Sequence, residues 1–332
     1  MKNFPKVDLH RHLEGCILPE TLIDIAKKYG GHLPTYELEQ LKPLVQVIND
    51  PPGFRNFLEK FKFFRGFYSC REAIEEIAYR AVKEAAEDNV KYLELRYSPT
   101  HFASNGKFYE EDVIEWINGA FQKASGQYDI MVTPILTISR DYGIELATST
   151  VEMVVNMPPI FFHGLDIAGD ENTHSAQPYS DLFCLARKSG LGLTIHAGEA
   201  GGALNVREAV IDFQADRIGH GVRSFEDKTV MELLRTRNIM LELCLTSNFY
   251  TGVITSIKNH PIKKLMEYGV PISLNSDDPA ILGTTLTDEY VSAIVELGFT
   301  EEELKALNRS ALDYAFYPDK TKLKEKLQHY WG

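Results

Sequence analysis

The sequence has little that would serve a positively charged surface, a membrane anchor or a disulfide framework. Among its 332 residues, 35 Lys and Arg stand against 47 Asp and Glu, a formal net charge of −12. An acidic chain repels the phosphates of nucleic acid and of anionic lipid, so neither nucleic acid nor a membrane surface is expected as a partner. Cysteine occurs four times, as Cys16, Cys70, Cys184 and Cys244, never as C-x-x-C. That spacing suggests neither a disulfide framework nor a thiolate zinc cluster. No run of about 18 or more apolar residues is present, so no membrane span is expected. Pro5 leads directly into a strand-like stretch without a signal-peptide core, and the expectation is a reduced, soluble, cytoplasmic protein.

No Pro/Ser linker, low-complexity tract or block of like charge divides the chain, and residues 1–332 read as one domain. Apolar residues make up 44% and charged residues 25%, enough for a sizeable core. A short apolar run, a polar loop and a helical segment recur. The candidate strands are Lys6–His10, Lys91–Tyr97, Ile130–Ile138, Ile160–Ala168, Leu191–His196, Arg217–His220, Ile239–Cys244 and Val270–Asn275. Each is rich in Val, Ile or Leu, as buried parallel strands are. Cys70–Asn89 is the clearest helix, with Ile74, Ile77, Ala78, Ala81, Val82 and Ala85 on one face. Pro19 marks a helix start, Gly30-Gly31 its stop, and Thr300 with Glu303 a capping box. Eight strand–helix alternations predict an α/β fold, a (β/α)8 TIM barrel. The stretch from Gly31 to Ser69 exceeds a simple connection and reads as extra helices covering the C-terminal face.

Barrel enzymes carry their chemistry at the C-terminal ends of the strands. There stand His10-Arg11-His12-Leu13-Glu14, His196-Ala197-Gly198-Glu199, Gly219-His220-Gly221 and Asn275-Ser276-Asp277-Asp278. Side chains alternate along a strand, so His10 and His12 point the same way, about 6.5–7 Å apart along the chain. Both then reach one metal, and neutral imidazoles suit zinc. A His-x-His pair alone is equally compatible with packing, and His196 alone with a satisfied core histidine. His196 and Asp277 at two further strand ends would complete a shell of three histidines and one aspartate. Glu199, just past its strand, is either a proton donor over the pocket or a first-turn glutamate favoured by a helix dipole. Asp277 and Asp278 are adjacent, so one is free to ligate metal while the other faces substrate. The fourth candidate strand contains no lysine to bridge two ions, which points to a single metal.

Taken in order, PKVDLHRHLEG, LELRYSP, GLDIAGDE, HAGE, RIGHG and SLNSDDP resemble the adenosine/AMP deaminase family of the amidohydrolase group, from Pro5 to Pro279. The resemblance implies one Zn2+ per chain, held by His10, His12, His196 and Asp277. It implies that Glu199 protonates the purine ring at N1 and that His220 orients or deprotonates a zinc-bound water. Asp278 would hydrogen-bond N7, and Gly169 would offer its backbone amide to N3. The segment Phe54–Phe61 resembles an apolar gate, with Phe57, Leu58 and Phe61 facing the substrate. The implied reaction is hydrolytic deamination of adenosine and 2′-deoxyadenosine to inosine and ammonia, through hydroxide attack at C6. The His/Cys/Cys pattern of the nucleic-acid base deaminases is absent.

Two positions depart from the resemblance. Glu14 stands where many adenosine deaminases have an aspartate against the ribose 5′-hydroxyl, and glutamate is common in members acting on free adenine. Adenine, N6-methyl-AMP and aminodeoxyfutalosine are therefore alternative substrates. Leu245 stands where relatives often have proline, with a small change in loop stiffness expected. Two rivals of other classes are a two-metal ester or lactam hydrolase and a receptor-binding barrel without activity.

Overall fold

Alternating apolar runs with no room for hairpins force parallel pairing, because only a crossover helix can return the chain to the same edge. In a computed structural model of the chain, which describes residues 1–48, 50–64, 67–103 and 107–332, the runs form eight strands. They are β1 (Lys6–His12), β2 (Val90–Tyr97), β3 (Met131–Ser139), β4 (Gly164–Ala168), β5 (Gly192–Ala197), β6 (Arg217–His220), β7 (Met240–Leu243) and β8 (Ile272–Leu274). Each pairs in parallel with the next in sequence order. With helices between them, this is the expected (β/α)8 barrel.

The seam between β1 and β8 closes differently from the other joints. Asp277 forms an isolated parallel bridge to Arg11. The His12 amide donates to the Asp277 carbonyl and the Asp277 amide to the His10 carbonyl, both at 2.9 Å. Below this bridge side chains replace strand partners. The Leu9 amide donates to Asn275 Oδ1 at 2.9 Å, and the Val7 amide to Asn308 Oδ1 at 2.7 Å.

Strand ends depart from the sequence reading for identifiable reasons. β1 runs two residues further, carrying His12 into the sheet. β4 begins at Gly164, not Ile160: Pro158 and Pro159 open a turn that leaves Ile160 exposed. β8 shrinks to three residues, because Pro271 brings no N–H to its start and Asn275 turns its amide side chain to the seam.

The clearest expected helix forms at Arg71–Glu87, with Ala73, Ile74, Ile77, Ala78, Ala81, Val82 and Ala85 buried; Asn89, at φ +61°, turns the chain into β2. The helix Pro19–Tyr29 ends at Gly30, whose φ of +81° is the left-handed cap glycine adopts without strain. Thr300 and Glu303 form the expected capping box. Between Gly31 and Ser69 lie the helices Leu38–Val45 and Phe54–Phe64, the second over the barrel mouth. Among the described residues, no helix is long and apolar enough to cross a membrane.

Candidate active site

Side chains pointing inward near the C-terminal ends of the strands meet on the axis, where the histidines collect. One ligand atom from each of His10, His12, His196 and Asp277 lies within 4.8 Å of the others, and all four residues are buried. Glu242 Oε2 takes His10 Nδ1 at 2.7 Å, and Asp166 Oδ1 takes His196 Nδ1 at 2.9 Å. These carboxylates accept, so each ring carries its proton on Nδ1 and turns a bare Nε2 to the cluster. His10 Nε2 has no hydrogen-bond partner, and His12 Nε2 faces His196 Nε2 at 3.3 Å. Buried lone pairs aimed at each other, with Asp277 Oδ1 at 3.2 Å from His10 Nε2, would be satisfied together by one shared cation. The residues fit a zinc-type ion.

Asp277 is placed by backbone strain: its φ is +59°, and that of His220 is +58°. Non-glycine residues hold such conformations only where the surroundings enforce them. Here the seam hydrogen bonds and the turn into Gly221 do so. Burial alone would raise the Asp277 carboxyl. Interaction with the His220 ring, the hydrogen bond and interaction with His10 and interaction with His12 outweigh it and hold the group well below the carboxylate range. Asp278 behaves oppositely. Burial first, then interaction with Asp277, Glu14 and Glu199, pushes it well above. Its Oδ1 is buried without a partner, and Gly15 lies so close that a Cβ there would sit 1.8 Å from it.

Glu199 stands on the bend after β5, before the helix Ala203–Ile211, so it is not a first-turn residue of that helix. Its Oε2 is 3.5 Å from His220 Nε2. Burial, then the charges of Asp277 and Glu171, lift its carboxyl well above the carboxylate range. These groups share a cavity of about 370 Å³. Lining it are His12, Glu14, Gly169, His196, Glu199, His220, Asp277 and Asp278, and over its mouth Phe57, Leu58 and Phe61. His10 lies beneath, fully buried. Glu14 accepts the Ser98 amide at 2.7 Å on Oε1, leaves Oε2 buried without a partner, and is raised to about 7 by burial. The candidate site residues of the sequence therefore lie in or directly beneath one cavity.

Sequence reasoning missed the residues behind that surface. Arg96 Nη1 donates to Asp166 at 3.0 Å and Nη2 to Glu242 at 2.8 Å, tying together the carboxylates behind His196 and His10. Arg217 Nε joins Glu242 at 2.6 Å. Glu171 accepts the amides of Gly198 at 3.0 Å, Glu199 at 2.7 Å and Gly201, and so holds the bend that carries Glu199. The signal was present. Charged residues inside otherwise apolar strands, as in LELR, LELC and GLDIA, have only the barrel interior to point into.

A closed parallel barrel with a metal-donor cluster at its C-terminal rim is a metal-dependent hydrolase scaffold. The family model for adenosine deaminase matches residues 5–329. The chain belongs to that family, and with it to the hydrolases acting on carbon–nitrogen bonds. It is 34% identical to an adenosine deaminase of Vibrio parahaemolyticus, over 98% of each chain. Among solved structures, an N6-mAMP deaminase of Arabidopsis superposes with a TM-score of 0.85 at 28% identity, covering 99% of this chain and 98% of that one. An adenine deaminase of Arthrobacter aurescens shares the fold, with a TM-score of 0.87 at 23% identity and 98% coverage of both chains.

Proposed function

We propose that the chain hydrolytically deaminates adenosine and 2′-deoxyadenosine, releasing ammonia and leaving the 6-oxo nucleoside. The observation that carries this reading is a buried Glu199, its carboxyl raised by burial, beside the His10, His12, His196 and Asp277 cluster in one cavity. One Zn2+ held by those four residues would polarise a water for addition to the ring carbon bearing the amino group. Addition to an aromatic carbon is slow unless the neighbouring nitrogen takes a proton. Glu199, its carboxyl raised by burial, would give one to N1. Asp278, held protonated, donates to N7, and the Gly169 amide donates to N3. His220 contacts the attacking oxygen, while Phe57, Leu58 and Phe61 cover the ring. The unpartnered Glu14 Oε2 is the acceptor left for a sugar hydroxyl.

The mouth favours an uncharged sugar over a nucleotide. Arg55 and His174 line it, but so do Asp141 and Asp170, with His174 Nε2 3.9 Å from Asp141 and the Arg55 charge acting on Asp170. A phosphate would meet a carboxylate beside both of these side chains. The volume, toward the small end of the ~300–1,000 Å³ usual for ligand pockets, suits a nucleoside. Ammonia release measured side by side for adenosine, 2′-deoxyadenosine, adenine, AMP, N6-methyl-AMP and aminodeoxyfutalosine tests the assignment. Adenosine should give the highest kcat/KM; faster turnover of adenine or a nucleotide would overturn the substrate assignment and leave the reaction standing.

A further inference from the structure

Behind His220, away from the cluster, runs a chain of three buried side chains that ends on a backbone amide. His220 Nδ1 is 3.2 Å from Asn248 Nδ2. Asn248 Oδ1 is 3.1 Å from His260 Nε2. His260 Nδ1 accepts the Ile262 amide at 3.1 Å. Every member is buried, so no water can substitute for a mismatched partner.

The last link sets the direction of the others. A backbone N–H only donates, so His260 Nδ1 is an acceptor, and the one proton of the neutral ring sits on Nε2. That proton occupies Asn248 Oδ1 and leaves the Asn248 NH2 to donate to His220 Nδ1. The proton of neutral His220 is then on Nε2, which lies 3.5 Å from Glu199 and 3.9 Å from Asp277. Burial takes His260 down to about 3 and keeps it neutral, and His220, accepting at Nδ1, has room for one proton only, on Nε2.

We infer that Asn248 and His260 are positioning residues that fix His220 in the Nε2–H form, so that it meets the attacking oxygen as a hydrogen-bond donor rather than as a base. The other tautomer is blocked at each step. A proton on His220 Nδ1 would face the Asn248 NH2, donor against donor. Rotating that amide would set NH2 against His260 Nε2–H, and moving the His260 proton to Nδ1 would oppose the Ile262 amide. Each mismatch leaves a buried polar group unpaired. Asn248 cannot swing aside, because its helix Leu245–Tyr250 is held at its start by Glu289. That carboxylate accepts the Leu245 amide at 2.8 Å and the Thr246 amide at 3.2 Å.

The kinetic half of this inference rests on the proposed deamination; the tautomer does not. Ring nitrogen NMR of the metal-loaded, 15N-histidine-labelled protein reads the His220 tautomer directly and needs neither substrate nor variant. The expected spectrum has His220 Nε2 protonated and Nδ1 bare, and a protonated Nδ1 would overturn the inference. Asn248→Asp offers only acceptors to Nδ1 and should draw the proton there. With folding and metal content retained, kcat should then fall by about 100-fold with KM changed less than about threefold, at the lower end of what proton-positioning groups contribute. His260→Gln, which can still donate to Asn248, should keep most of the turnover that His260→Leu loses. Wild-type turnover with a reversed tautomer, or equal loss in both His260 variants, would sink the positioning role. Should no 6-aminopurine be deaminated by the wild type, the proposed function fails while the ring spectrum still decides the relay.

Discussion

In the proposed reaction Glu199 acts as an acid only because of what surrounds it. In water its carboxyl would be ionised at pH 7. In the cavity, burial and then Asp277 and Glu171 raise it well above the carboxylate range. Glu199→Gln keeps the shape and loses the transferable proton. It should retain fold and metal while kcat falls about 10²–10⁴-fold, checked by single-turnover deamination beside metal analysis; near-normal turnover would remove the acid role. Glu171 supports a second prediction with a definite sign. A group with a raised pKa keeps its proton to higher pH, so activity needing protonated Glu199 declines on the alkaline side. Glu171→Gln removes one of the negative charges raising it, and the alkaline limb of kcat/KM should move to lower pH. A limb that stays put, or moves up, would show that Glu171 acts only through the hydrogen bonds it accepts. Ligand-type residues such as His10, His12, His196 and Asp277 were legible in the sequence because few side chains do their work. Glu171 and Asn248 were not, because their role depends on which amide or ring faces them, and sequence spacing does not show that.

The elements were legible where they are long and periodic, as at Arg71–Glu87, and blurred where the barrel ends them. Strand ends are set by contacts across the seam and by prolines, so β4 and β8 came out shorter than their apolar runs. One small element separates geometry from hydrogen bonding. Leu245 opens the helix Leu245–Tyr250, a position proline tolerates, and Cys244 before it is already extended at φ −135° and ψ +98°. The position is more than a matter of loop stiffness, since the Leu245 N–H bonds the buried Glu289, which burial raises to about 7. Leu245→Pro should therefore cost the hydrogen bond without a clash, about 1–2 kcal/mol of unfolding free energy in denaturant titrations. Unchanged stability would mean that the Thr246 amide alone satisfies the carboxylate. In the capping box, Thr300→Ala should cost a comparable ~1 kcal/mol. It lies far from the cavity and should leave kcat unaltered, which makes it a control for effects that act through stability alone.

At the scale of the whole molecule, the metal donors and the closure of the barrel are the same residues. His10 and His12 belong to β1, His196 to β5, and Asp277 follows the three-residue β8 while bridging to Arg11 across the seam between β8 and β1. An ion held by all four would tie the two ends of the sheet together and would bind the folded chain far better than the unfolded one. Metal at about 100 times its Kd stabilises such a fold by ~2.7 kcal/mol. Per-residue unfolding entropies convert that to roughly 4 °C in Tm for a chain of this length. Chelation should lower Tm by about that amount, and readdition of zinc should restore it. The loss should also be local. Amide exchange should rise first at the His12 and Asp277 amides that close the seam, before the β4–β5 joint opposite. The same measurement on Asp277→Asn, with the carboxylate gone and the backbone bridge intact, should show a smaller response to chelator. A uniform rise in exchange around the barrel would mean that the metal stabilises the fold without closing it.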